Sequence, residues 1–290
     1  MSMLKNSSAV FITAMILGLL IPHYAQLTKN IIIPVLAFIM TLSLSELDFG
    51  VMKLRDSLLN IFLNYIYLSG LILLLSYLLI EDRMLWLGFV VMAAAPPAVA
   101  VVPFTRLLGG DVAESLVSSG VAYLLSLLIT PAIILALTGE GVNTAEILKA
   151  LLVLVLLPIV ISRYFKIKNK DLSTSLINLG FGVVVYSIIG LNSNMLVNIT
   201  ALWPVLLIAL ARTILSGSAV LAAFSRLSYE KLVPKVLFSS YKNLGFTAGV
   251  SILLFGNMAA IPAAVCSIFE VLAFTYFSTI IRRFKSPLSP

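Results

Sequence analysis

Three charged side chains stand where the surrounding sequence is otherwise apolar. Arg212 lies near the centre of the stretch 202–226, Lys242 near the centre of 232–256 and Glu270 near the centre of 259–281. A charge at the middle of a hydrocarbon layer costs about 2.5–3.5 kcal/mol on insertion scales, so three unpaired ones would cost roughly 8–10 kcal/mol. Each centre is about 15 Å from either edge of the hydrocarbon core, farther than a lysine stem reaches. The three must therefore face a cavity or one another. A structural ion pair of Glu270 with Lys242 or Arg212 is one solution. Two cations against one carboxylate still leave a positive charge over, and that suits an anionic solute better than a cation.

The chemistry around these charges is that of recognition. Ala95-Pro96-Pro97-Ala98 interrupts the apolar stretch 84–108, and Tyr241-Lys242-Asn243-Leu244 is its counterpart in 232–256. Two prolines remove two backbone donors and clash with the preceding turn, so a helix through this point must break. Inside hydrocarbon the freed backbone groups cost several kcal/mol each unless protein or a water-filled cavity satisfies them. Half-helix N-termini at such breaks add positive potential. Pro96, Pro97, Ala98, Asn243, Arg212 and Glu270 are thus the candidate solute-binding residues. Asn64, Ser115 and Ser119 are uncharged polar groups in other apolar spans. Serine in a membrane helix is often a packing residue or bonds its own helix, whereas asparagine has several hydrogen-bonding positions to fill.

These residues need a membrane-embedded scaffold. Of 290 residues 61% are hydrophobic and 11% charged, with a mean hydropathy of +1.12; soluble domains carry about 25% charge. The spacing predicts ten spans, at roughly 9–25, 28–46, 57–80, 84–108, 112–137, 145–165, 173–191, 202–226, 232–256 and 259–281. The fold class expected is an all-α integral membrane protein. The apolar run after Lys5 is read as the first span and not as a cleaved signal. Lys5, Lys53, Arg55, Arg106, Arg163, Lys166, Lys168, Lys170, Arg226, Lys231, Lys235, Arg282, Arg283 and Lys285 fall on the side of the N-terminus, against Lys29, Arg83 and Lys149 opposite. This asymmetry places both termini in the cytoplasm, for a multi-pass protein of the plasma membrane. It also accounts for the net charge of +7 without a nucleic-acid partner; the lipid bilayer is the expected surrounding.

The chain also repeats itself. Leu68-Ser69-Gly70 recurs as Leu215-Ser216-Gly217, 147 residues later, and an offset of 146 lays Pro97 over Asn243 and Gly110 over Gly256. Both offsets link spans five apart, and an odd number of spans inverts the second copy. Two inverted five-helix repeats are expected, 1–142 and 143–290.

The residues also carry a family resemblance. Ala95-Pro96-Pro97-Ala98 through Gly110-Asp111-Val112-Ala113, then Thr130-Pro131-Ala132-Ile133 and Leu156-Leu157-Pro158-Ile159-Val160, resemble the bile acid:sodium symporter family. Lys242-Asn243-Leu244-Gly245 and Ile261-Pro262-Ala263-Ala264 resemble that family's second crossover helix and last span. The resemblance runs from about residue 30 to 284. It implies a core and a panel domain, broken crossing helices four and nine, and alternating access for organic anions. It puts Ser115 and Ser119 where the family ligates one sodium, and Asn64 where a glutamine serves the second. Val101 and Val102 replace the family's Ser-Asn ligands, Phe238 replaces the acidic ligand shared by both sites, and Lys242 replaces a glutamine. Without that carboxylate a hard cation lacks its main anionic oxygen, which argues against sodium as a coupling ion.

Lys242 is then expected to replace the bound cation, either as a fixed ammonium in a sodium-independent carrier or as a group that exchanges a proton, with Glu270 the second member of the relay. Auxin efflux carriers and their bacterial organic-acid relatives show a similar Pro-Pro-Ala pattern and need no sodium, but carry it in the opposite half. A sodium-coupled symporter, an auxin-efflux-like carrier and a non-transporting membrane sensor are the alternatives. No enzyme is expected: there is no Asp-x-x-x-Asp, no His-Glu-x-x-His, and one histidine, His23. One cysteine, Cys266, allows neither a disulfide nor a multi-cysteine metal site. Neither a cofactor nor a metal is called for.

Overall fold

Asp82 opens the first of two interrupted helices that cradle the charged residues. Its carboxylate accepts from the backbone N–H groups of Met84 (2.8 Å) and Leu85 (3.0 Å), capping the helix Arg83–Ala94. Ala95 turns to an extended conformation ahead of Pro96, and the chain becomes helical again over Val101–Leu108, which closes on Gly109 at φ 75°. The second interrupted helix runs Tyr229–Phe238, breaks over residues 239–243, and resumes as Leu244–Phe255, closing on Gly256 at φ 90°. Asn243 caps the resumed half by accepting from the N–H of Phe246 at 2.9 Å. Only glycine takes a positive φ without strain, so both halves end where the sequence supplies one.

The computed structural model describes residues 7–45, 54–138, 144–165, 167, 169–193 and 199–281. The expected repeat boundary at 142/143, and the basic residues Lys5, Lys53, Lys166, Lys168, Arg282, Arg283 and Lys285 of the orientation argument, lie outside them. The described residues are helical, with no strand beyond an isolated antiparallel bridge between Pro97 and Lys242. Among the described residues, seven helical runs are long and apolar enough to cross a bilayer: Pro22–Leu42, Ser57–Leu79, Val112–Thr138, Ala145–Tyr164, Asp171–Leu191, Leu202–Ala223 and Asn257–Ile280. Ala9–Leu20, Arg83–Ala94 and Leu244–Phe255 are shorter apolar helices. Two of these three are halves of the interrupted stretches 84–108 and 232–256, which were expected to break.

Three of the long runs change pitch, Ala145–Tyr164 among them through a π-helical turn at Leu152–Leu156. Leu63–Leu68 and Ala211–Leu215 are the other two π-helical turns, and they carry Asn64 and Arg212 respectively. Such widened turns often occur at functional sites. Each of these two is followed by the Leu-Ser-Gly tripeptide, whose serine holds the end of one interrupted helix: Ser69 Oγ donates to the Ala93 carbonyl (2.6 Å) and Ser216 Oγ to the Ser239 carbonyl (2.7 Å). Packing around the breaks is close. A side-chain carbon on Gly88 would lie 2.1 Å from the carbonyl oxygen of Ala259.

Candidate functional site

The two breaks bond to each other through their backbones. Asn243 N–H donates to the Pro96 carbonyl at 2.8 Å, and Ala98 N–H to the Tyr241 carbonyl at 3.4 Å, on either side of the Pro97–Lys242 bridge. Ending a helix leaves its last carbonyls without donors. At the first break Ala93 O takes Ser69 Oγ and Lys242 Nζ, Ala94 O takes Thr130 Oγ1 at 2.8 Å, and Ala95 O takes Lys242 Nζ. At the second, Asn64 Nδ2 donates to Phe238 O (2.9 Å) and Tyr241 O (3.1 Å), while Ser216 serves Ser239 O. Polar side chains on the neighbouring spans thus meet the backbone groups that the breaks release.

Lys242 sits at the centre of this arrangement. Its fully buried ammonium lies 2.8 Å from Ala95 O, 2.9 Å from Ser69 Oγ, 3.0 Å from Asn64 Oδ1 and 3.1 Å from Ala93 O, and 4.7 Å from the centroid of the Tyr65 ring. Four neutral oxygens and an aromatic face make an enclosure for a cation. The C-terminal carbonyls of Arg83–Ala94 also turn the negative end of that helix toward it.

Glu270 pairs with Arg212, and its Oε1 also accepts the backbone N–H of Lys242 at 3.2 Å. Of the two charge-pairing options weighed from sequence, the Arg212 pair is the one formed. The Tyr241 hydroxyl donates to the Glu270 carbonyl at 2.9 Å. Arg212 is fully buried; beyond Glu270 it has a long NH1 contact of 3.6 Å to Met92 Sδ, and its Nε finds no acceptor. The Glu270 side chain retains 13% of its exposure. A second buried ion pair joins Lys235 to Glu114, and Asn60 Nδ2 donates to Glu114 Oε1 (2.8 Å) and Ser118 Oγ (2.9 Å). With both carboxylates matched, Lys242 is the buried cation left without a carboxylate partner among the described residues.

Several expected residues are placed differently from their grouping in the sequence. Asn64 joins Lys242, but Ser115 and Ser119 do not: Ser115 Oγ shares a hydrogen bond with Thr105 Oγ1 at 2.8 Å, and Ser119 Oγ is buried without a partner. Neither serine is among the hydrogen-bond partners of the ammonium. Pro96, Pro97 and Ala98 enter through their backbones. Asn243 spends its amide on the Tyr123 hydroxyl (2.6 Å) and Met40 Sδ (3.4 Å), and its Oδ1 caps its own helix. Val101, Val102 and Phe238 are buried apolar side chains. Lys235, counted among the basic residues on the side of the N-terminus, is buried in Tyr229–Phe238 and paired there with Glu114.

Sequence reasoning passed over Ser69, Tyr65 and the Ala93 and Ala95 carbonyls. Ser69 carried a signal, since it is the polar residue of the repeated Leu-Ser-Gly. The Glu114–Asn60–Lys235 cluster had one too, Glu114 standing three residues after the helix-opening Asp111.

Helices interrupted within a bundle of long apolar helices, with the freed backbone turned onto a buried charge, are an arrangement that secondary transporters use. The sequence profile of the SBF-like CPA transporter family (DUF4137), a bile acid:sodium symporter-like group, matches residues 8–284. The chain belongs to that family. No curated protein matches it in sequence.

Proposed function

We propose that this protein carries small organic anions across the plasma membrane by alternating access, and that the Lys242 ammonium stands in place of a bound sodium ion. Transport is then sodium-independent. The observation that carries this reading is the set of four oxygens on Nζ: Asn64, Ser69, Ala93 and Ala95 provide what a small cation needs, and the chain itself provides the cation. The apolar Phe238, Val101 and Val102 support the same reading, because a sodium ion would find neither a carboxylate nor a polar side chain at those positions.

In this reading the ten spans form two inverted five-helix repeats, 1–142 and 143–290, sorted into a core and a panel domain with helices four and nine crossing at their breaks. Hydrogen bonding favours the repeat. The Ser69–Ala93 bond recurs as Ser216–Ser239, the π-helical turns recur at Leu63 and Ala211, and Gly109 and Gly256 close corresponding half-helices. The excess charge of Lys242 favours an anion over a cation as solute. Both termini face the cytoplasm.

The test is a thermal-shift titration of the purified protein with choline salts of pyruvate, benzoate, succinate and cholate, with and without sodium. Stabilisation by a carboxylate that is the same in both media is expected. Stabilisation that grows with sodium would restore a sodium-coupled symporter and leave Lys242 a structural charge. Binding without flux in vesicles would instead indicate a sensor.

A further inference from the structure

The Arg212–Glu270 pair has the form of a carboxylate-binding site whose ligand is supplied by the protein. Arg212 is wholly buried, and a guanidinium offers five N–H donors in a planar fork suited to two parallel bonds with a carboxylate. Glu270 meets NH2 through one oxygen, Oε1, which is shared with the Lys242 N–H. NH1 reaches nothing better than a thioether, and Nε is an orphaned donor in the interior. A buried polar atom without a partner keeps its desolvation cost with nothing to offset it. The fork is thus under-used, and Glu270, with 13% of its side chain accessible, is its one anionic partner among the described residues and the more accessible member of the pair.

We infer that a substrate carboxylate replaces Glu270 on Arg212 and that Glu270 takes up a proton as it is displaced, making the carrier a symporter of one proton with each carboxylate. This rests on the organic-anion reading above. The balance is simple. Before binding, the guanidinium is matched by the Glu270 carboxylate; afterwards it is matched by the substrate carboxylate, and Glu270 is a neutral acid whose added proton comes from solution. No bond other than O–H is made. The buried charge is the same in the loaded and empty carrier.

That constancy is what favours proton uptake over simple displacement. An ionised Glu270 pushed off Arg212 by a second carboxylate would leave two anions competing for one guanidinium, because the Lys242 ammonium, though it adds positive potential, is enclosed by four neutral oxygens. Breaking a buried pair is strongly unfavourable because one charge is left unmatched. The charged and titratable groups around Glu270 are Arg212, Lys242 and Tyr241, with Cys266 one turn earlier on its own helix. Lys242 is engaged by four oxygens and leaves no donor free for a displaced carboxylate. Protonation is the remaining way to neutralise it. The inference also places coupling on Glu270 and leaves Lys242 a fixed cation.

The experiment is calorimetric titration of the full-length protein in detergent micelles with the tightest-binding carboxylate of the panel, in two buffers of different ionisation enthalpy. The difference between the buffers reports protons taken up. Wild type is expected to take up about one proton per carboxylate bound, with the dissociation constant rising about tenfold per pH unit once Glu270 is ionised. Glu270→Gln, which cannot hold a negative charge against the ligand, is expected to bind with no uptake and no pH dependence. Should that variant not fold, the infrared difference spectrum of wild type serves instead: binding should produce the carbonyl band of a protonated carboxylic acid. Binding without proton uptake in wild type, or unchanged uptake in Glu270→Gln, would overturn the inference while leaving the organic-anion carrier standing. No binding by any carboxylate of the panel would overturn both.

Discussion

The Nζ of Lys242 lies 2.8 Å from the carbonyl oxygen of Ala95, so a side chain from one break satisfies the backbone of the other. The bond spans 147 residues of sequence. It joins the N-terminal half of one interrupted helix to the link between the halves of the second. Several of the strongest expectations concern this bond and its neighbours.

Lys242→Ala removes the cation and leaves Asn64 Oδ1 and Ala95 O without the donor they have here. At about 1–3 kcal/mol for each unmet buried group, a lower unfolding midpoint in micelles is expected. Added methylammonium or ethylammonium should recover part of the loss by entering the vacated enclosure, whereas sodium should recover little because no carboxylate is there to meet it. Equal recovery by sodium would sink the surrogate-cation account.

Asn64→Ala should be more damaging than Ser69→Ala. The asparagine serves three partners, Lys242 Nζ and the carbonyls of Phe238 and Tyr241, while Ala93 O keeps Lys242 when Ser69 is lost. A loss of roughly 2–4 kcal/mol is expected for the first and about 1 kcal/mol for the second. Chemical denaturation of the two variants side by side checks the order.

The Arg212–Glu270 pair should behave as a buried pair in a double-mutant cycle. Arg212→Leu alone strands a carboxylate and should cost about 3–5 kcal/mol. Combining it with Glu270→Leu should bring the unfolding midpoint back toward wild type while carboxylate binding stays lost. A double variant less stable than Arg212→Leu would show that the two residues are not coupled in this way.

Lys235 and Glu114 offer the same test at a second place. Glu114→Gln leaves the ammonium of Lys235 unmatched and is expected to destabilise by about 3–5 kcal/mol. Combining it with Lys235→Met should restore most of that. Because this pair shares no residue with the Lys242 enclosure, the sodium-independence of ligand binding should be unchanged in the double variant.

Two glycines separate crowding from open space. Gly88→Ala would drive a carbon against the Ala259 carbonyl at 2.1 Å, and a cost of about 1–3 kcal/mol from forced backbone movement is expected. Gly70→Ala meets nothing within 4 Å and, in the helix Ser69–Leu79, should be neutral or slightly stabilising. Thermal midpoints of the two variants decide it.

The scaffold was largely legible in the sequence because the bilayer permits few solutions. Apolar runs must be helices, and Pro96-Pro97 must interrupt one of them. The second break was harder to read: no proline marks residues 239–243, and its position followed from the charge at Lys242 and from the internal offset. Partners of charges were less legible still. An ion pair of Glu270 with Arg212 or Lys242 was one of the solutions the sequence left open, and the choice is made by the packing of three spans around Arg212, which lies in the π-helical turn Ala211–Leu215. Ser115 and Ser119 were grouped with Lys242 through a resemblance, and the packing of Val112–Thr138 takes Ser115 to Thr105 instead. Ser69 was noted only as part of the repeat, because a serine in an apolar helix usually bonds its own backbone. Here it also reaches across to Ala93, a contact that depends on the three-dimensional approach of two spans.

The ammonium of Lys242 is delivered to its four oxygens by its own stem. A dissolved cation fills such an enclosure only while its concentration exceeds the dissociation constant, and it empties when the medium becomes dilute. A tethered one has no such threshold. The loss of freedom on being fixed is met once, when the chain folds, and the local concentration is set by a covalent stem whatever salt lies outside. Occupancy is thereby removed from the list of things the environment can vary: the enclosure is filled in fresh water and in brine alike, and it cannot report on either.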